Sequence, residues 1–76
     1  MKSVKLMDLT TTKGLELEII KDLTAAVNPY RLFAKWTEYR PDTFPAHHRK
    51  LIERFADLTS AVLHAAEIVR KLEYNR

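Results

Sequence analysis

An all-α fold, an elongated antiparallel hairpin of two long helices, is what this 76-residue sequence predicts, on three observations. One glycine and three prolines leave few places where the backbone can reverse. The stripe Leu51, Phe55, Leu58, Val62, Ala65, Val69 and Leu72 alternates steps of four and three, the spacing of a coiled-coil-like seam. Arg40-Pro41-Asp42-Thr43-Phe44-Pro45, where prolines bracket Asp and Thr, is the clearest connection in the chain.

Taken in order, residues 1–11 read as a loosely ordered arm, alternating weakly around Val4 and Leu6 and ending in Thr10-Thr11-Thr12. Residues 12–39 read as the first helical arm. Glu16 and Glu18 sit early, where a helix favours acids, and Ile19, Ile20, Leu23, Ala26 and Val27 come next at helical spacing. Asn28-Pro29 breaks or kinks this arm: the pair suits a cap and first turn, which argues for a break. The phase Ile19, Leu23, Ala26, Tyr30, Phe33 runs through the proline, which argues for a kink. Residues 40–44 form the turn, with Thr43 as a cap and Pro45 in the first turn of the second helix. Residues 45–74 form this long helix, with Arg70 and Lys71 at its negative pole, and Tyr74-Asn75-Arg76 fray.

A helix over residues 45–74 is about 45 Å long at 1.5 Å per residue, whereas a compact globule of this chain length is roughly 30 Å across. An elongated hairpin is implied. A second row, Ile52, Leu63 and Ala66 with Thr59 between, widens the apolar face beyond what one helix covers. Two hairpins paired as a four-helix bundle satisfy both rows. A three-helix monomer, with the first arm folded in two pieces, is the alternative. In outline such a hairpin resembles the small Rop-type RNA-binding dimers and the short co-chaperones of type III secretion needles. That likeness lies in architecture and carries no functional position over.

Small domains depend on staples or on association. Absence of cysteine excludes disulfides and thiolate metal sites, so a homo-oligomer, with a dimer favoured, is the expected remedy. The start Met1-Lys2-Ser3-Val4-Lys5-Leu6 lacks a secretory apolar run, and no stretch reaches the roughly 18 apolar residues of a membrane span. A cytoplasmic protein without membrane contact is expected. Net charge is +3 with a pI near 9.4, so the distribution of charge matters more than its sum.

Chemistry concentrates around the turn. Trp36, Tyr39 and Arg40 precede it, and His47, His48, Arg49 and Lys50 come after it. Rigid aromatics beside cations suit a protein hot spot, a stacking platform or an anion site. The bland reading pairs Arg49 with Glu53, closes the hairpin with Trp36 and leaves the rest solvated. A metal site is not expected, since His47 and His48 would project some 100° apart on a helix and His64 lies about four turns away. Neither are catalytic residues, since Ser3 and Ser60 have no His and acid arranged around them. The function expected is that of a small non-enzymatic regulatory protein, an inhibitor or adaptor that sequesters a partner protein through a helical surface without a cofactor. The alternative is an anionic ligand, nucleic acid or nucleotide, bound by residues 40–50.

Overall fold

A side-chain period of two organises the first 55 residues, and this overturns the all-α expectation. The computed structural model describes residues 2–74. They form β1 (Ser3–Thr10), β2 (Glu16–Asp22), β3 (Tyr30–Glu38), β4 (Ala46–Phe55) and α1 (Leu58–Tyr74). The strands make one antiparallel sheet in the order β1-β2-β3-β4, and α1 packs on one face. Helical hairpin and helical bundle are therefore replaced by a four-stranded meander with a C-terminal helix. The expected arm holds β1, the expected first helix holds β2 and β3, and the expected long helix is β4 followed by α1. The outline likeness to helical-hairpin dimers falls with it. The frayed end expected at Asn75 and Arg76 lies outside the described residues.

Alternation sorts the strand residues between two faces. Leu17 and Ile19 of β2 and Leu32 and Ala34 of β3 are buried beneath Ala61 and Ala65 of α1. Met7, Leu15, Tyr30, Ile52, Phe55, Ile68 and Val69 pack around them. Glu18, Arg31, Phe33 and Lys35 interleave with these core positions and so occupy the sheet face away from the helix. Ile19 and Phe33, which share a face on a helix, lie on opposite faces of the sheet. The β-branched and aromatic content of Ile19-Ile20 and Tyr30–Trp36 suits such a surface.

Each connection has local chemistry that helix phasing had hidden. Between β1 and β2, the Gly14 N–H donates to Thr11 O at 3.2 Å and the Thr11 N–H to Leu15 O at 2.8 Å. The Leu15 N–H donates to the Thr11 hydroxyl at 3.1 Å. Gly14 stands at φ +80°, so Thr12-Lys13-Gly14 is a three-residue hairpin loop closed by a left-handed glycine. A Cβ added at Gly14 meets nothing within 4 Å. Gly14→Ala is therefore expected to cost only its backbone strain, about 1 kcal/mol, read as a Tm lowered by roughly 4–8 °C. An unchanged melting curve would show that the loop does not need the left-handed residue.

Between β2 and β3, Asp22 organises the loop. Its carboxylate accepts from the Thr24 N–H at 2.9 Å and the Thr24 hydroxyl at 2.7 Å, and it pairs with Arg31. These hydrogen bonds to Thr24, and then the Arg31 charge, hold its pKa below the usual carboxylate range. Asn28 adopts φ 50°, so Asn28-Pro29 turns a loop corner and does not cap a helix. Arg40–Pro45 does reverse the chain, joining β3 to β4 instead of two helices. Asp57 then caps α1, accepting the Ser60 N–H at 2.7 Å. That cap cuts the seven-residue seam: Leu51 and Phe55 lie in β4, opposite Phe33 and Tyr30 and thus on different faces. Of its helical members, Ala65 is buried against the sheet while Leu58 and Val62 stay more than a third exposed.

The result is a flat molecule, 44 × 31 × 15 Å. Its two sheet edges are blunted. A bulge at Leu6 interrupts β1 and one at Ile52 interrupts β4, and Lys5, Arg49 and Lys50 line these strands, devices that discourage edge-to-edge pairing.

Candidate functional site: the basic and aromatic β3–β4 hairpin

All seven residues singled out around the turn, Trp36, Tyr39, Arg40, His47, His48, Arg49 and Lys50, lie on the β3–β4 hairpin or its loop. Register pairs Trp36 with His48, Thr37 with His47, Lys35 with Arg49 and Ala34 with Lys50. Trp36 follows Leu32 and Ala34 on the α1 side of the sheet, beyond the end of the core. Its ring stacks on His48, with centroids 5.3 Å apart and planes 19° from parallel. His48 Nε2 lies 3.2 Å from Glu38 Oε1, and the Arg40 guanidinium donates to the same oxygen at 3.0 Å. Hydrogen bonds from Arg40 and then His48 keep the Glu38 carboxyl below its ordinary pKa. This pins the imidazole against the indole, and Trp36 stays 38% exposed.

On the other face, His47 Nδ1 meets the Thr37 hydroxyl at 3.1 Å. The Arg49 guanidinium lies 3.8 Å from the Phe33 ring centroid, a cation–π contact. It also pairs with Glu18 at 2.9 Å, replacing the Glu53 partner that helical spacing suggested. Lys5 and Lys35 reach the same Glu18 carboxylate at 2.9 and 3.2 Å. Burial pushes the Glu18 carboxyl up, but hydrogen bonds from Lys5, Arg49 and Lys35 outweigh it and bring the pKa down from 4.5 to about 2. One carboxylate among three cations leaves the cluster net positive.

Two clefts meet at Trp36. One of about 330 Å³ is lined by Glu16, Lys35, Trp36, Thr37, His47, His48 and Arg49. The other, about 530 Å³, lies between Lys13–Leu15, Trp36, Thr37, Tyr39 and Leu72. At the tip, Tyr39 is 80% and Phe44 94% exposed, far beyond what folding asks of aromatic side chains. Charge follows the same geography. Residues 30–55 hold six of the 13 Lys and Arg and three of the 10 Asp and Glu, so the rest of the sequence is neutral and the hairpin carries the whole excess.

Sequence reasoning missed Phe33, Lys35, Thr37 and Glu18. The alternation Arg31-Leu32-Phe33-Ala34-Lys35-Trp36-Thr37, polar or ring-bearing groups between core positions, is the signal that could have found them. His47 and His48 point to opposite faces of the strand, and no cluster of three His, Cys, Asp or Glu suited to a metal occurs among the described residues. No helix among them is long and apolar enough to cross a membrane. No protein-family model matches the chain, and no curated protein or solved structure proved similar to it.

Proposed function

We propose that this protein acts by binding rather than catalysis, and that its ligand is single-stranded nucleic acid held across the β3–β4 hairpin. The observation that carries this reading is the Trp36–His48 stack, which lines a cleft with Lys35 and Arg49 and shares its sheet face with Lys50, opposite Ala34. Bases stack on aromatic side chains with about 1–3 kcal/mol each, whatever their identity, and neighbouring cations take the phosphates. Exposed Tyr39 and Phe44 extend the stacking surface past the end of the sheet. A duplex offers no free base faces to such a ledge, so the unpaired strand is the better fit.

Trp36 is the only tryptophan, so its fluorescence reports stacking directly. Titration with a thymidine oligonucleotide is expected to quench it saturably, with a duplex of equal length at least tenfold weaker. Three or four phosphate contacts set a slope of log K on log salt of about −2 to −3. Trp36→Ala, followed by anisotropy of a labelled strand, is expected to weaken binding roughly 5- to 150-fold, the equivalent of one stacked base. Equal affinity for duplex and single strand, or no binding at 50 mM salt and about 100 µM protein, would reject the proposal.

Sequestration of a partner protein, the function expected from the sequence, is a second reading, favoured by Tyr39 and Phe44 at the tip. Rigid aromatics of this kind anchor protein interfaces. Such a complex would keep its affinity in 0.5 M salt, where phosphate binding is lost.

A further inference from the structure

On the sheet face away from α1, one carboxylate is left without a task in folding. Asp8 on β1 and Glu16, Glu18 and Asp22 on β2 all turn to that face. Asp8 bonds Lys5, Glu18 holds Lys5, Lys35 and Arg49, and Asp22 holds Thr24 and Arg31. Glu16 is partly buried, and among the described residues its side chain has no hydrogen-bond or ion-pair partner. Lys35 lies directly opposite it across the strands, yet the ammonium goes to Glu18 at 3.2 Å. Glu16 is thus left lining the cleft of about 330 Å³, on the same face as Lys35, Thr37, His47 and Arg49. A carboxylate in a cleft that takes a polyanion repels the phosphates, so it calls for a part of the strand that donates hydrogen bonds.

We propose that this cleft reads one guanine of the bound strand, Glu16 accepting from N1–H and the 2-amino group while Lys35 donates to O6. The inference rests on the nucleic-acid reading and adds to it a base preference that stacking alone does not supply. An ionised carboxylate only accepts, and its two oxygens take two donors side by side. Guanine is the base whose pairing edge offers two adjacent donors with an acceptor next to them. Thymine and uracil set a single donor between two acceptors, and adenine and cytosine carry one donor group each on that edge. Partners across neighbouring strands stand about 5 Å apart, so Glu16 and Lys35 together span one base edge. An ammonium has three donors, and Lys35 can serve Glu18 and O6 at once. β2 begins at Glu16, so Trp36, Thr37 and Glu38 pair with β4 alone. The strand passes from the Trp36 ledge to the cleft over this open edge.

Anisotropy of a labelled thymidine oligonucleotide is compared with that of the same strand carrying one central guanine. Guanine is expected to tighten binding about 5- to 150-fold, the worth of one bidentate base contact. Hypoxanthine in its place keeps N1–H and O6 but lacks the 2-amino group, and should give back part of that gain. Glu16→Gln should abolish the preference, with the melting curve showing that the fold is kept. Hypoxanthine alters only the ligand, so it carries the test if the variant does not fold. Equal affinity for the guanine and all-thymidine strands, an equal gain from adenine or cytosine, hypoxanthine as tight as guanine, or a preference that survives Glu16→Gln would each overturn the proposal while strand binding stands. Binding of neither strand would overturn the nucleic-acid reading and this inference with it.

Discussion

Ile19→Ala is expected to remove most of the stability of the protein. Ile19 sits in β2 with no exposed surface, paired across the sheet with Met7 of β1 and Leu32 of β3. It therefore joins three strands to the helix above them. Truncating a buried Ile costs about 2–5 kcal/mol, the larger values arising where the surroundings cannot close the cavity. Here the sheet backbone is held by ladders on both sides and leaves little room to collapse. A domain of this length has roughly 4–11 kcal/mol in total, so the urea midpoint should fall by half or more. Leu58→Ala and Val62→Ala, at positions over a third exposed, should each cost about 1 kcal/mol or less within one chain. Unfolding followed at fixed protein concentration separates the two classes, since association adds to apparent stability. Equal losses at Ile19 and Val62 would mean that Ile19 does not lie in the core.

Acid should act on the protein chiefly through Glu18. Its side chain is 5% exposed and bonded to Lys5, Lys35 and Arg49, and its pKa stands at about 2 against an ordinary 4.5. A carboxylate with a depressed pKa stabilises the fold at pH values above its unfolded pKa. That contribution is lost as pH falls from about 4.5 towards 2, since the unfolded chain takes up the proton first. A shift of this size corresponds to roughly 3 kcal/mol, an upper figure because the three cations are partly solvated. Glu18→Gln should destabilise the protein at pH 7 by a similar amount and flatten its stability profile between pH 4.5 and 2. The variant at neutral pH then behaves like the wild type in acid. Urea titrations at pH 7, 4.5 and 2.5 check this, and parallel acid profiles for both proteins would remove Glu18 from its central place.

Part of this was legible in the sequence. The Pro41–Pro45 reversal depends on residues whose backbone preferences hold in any context, and a reversal brings residues 36–40 beside residues 46–50 whether strands or helices lead into it. Grouping Trp36 and Tyr39 with His48 and Arg49 therefore survives a change of fold class. The secondary structure did not survive, for a physical reason. Residues four apart share a face both on a helix and on a strand, and only the steps of three tell the two apart. Bulges at Leu6 and Ile52 shift the strand alternation by one and create such steps. Inside the supposed seam, the step from Phe55 to Leu58 crosses the Asp57 cap, so strand and helix residues lined up as one pattern. The clearer signals were Gly14 after three threonines, placed for a hairpin, and Asp57-Leu58-Thr59-Ser60, placed for a helix start. Partner choice and oligomeric state depend on surfaces made by residues distant in sequence, such as Glu18 beside Arg49, and no local pattern announces those.

The strand order has a consequence for how the chain reaches its structure. Every strand pairs only with its sequence neighbours, so the sheet can grow by adding one hairpin at a time. No crossover has to be closed before a pairing rewards it, and the cost of closing a loop rises with the separation it spans. The β1–β2 hairpin, with its three-residue loop and left-handed glycine, is the cheapest place to begin. Helix α1 comes last in the sequence yet contacts β2, β3 and β4, so it docks only on strands already assembled. During synthesis the sheet leaves the ribosome before its cover does. For that interval the faces of Leu17, Ile19 and Leu32 stay open to any other apolar surface nearby.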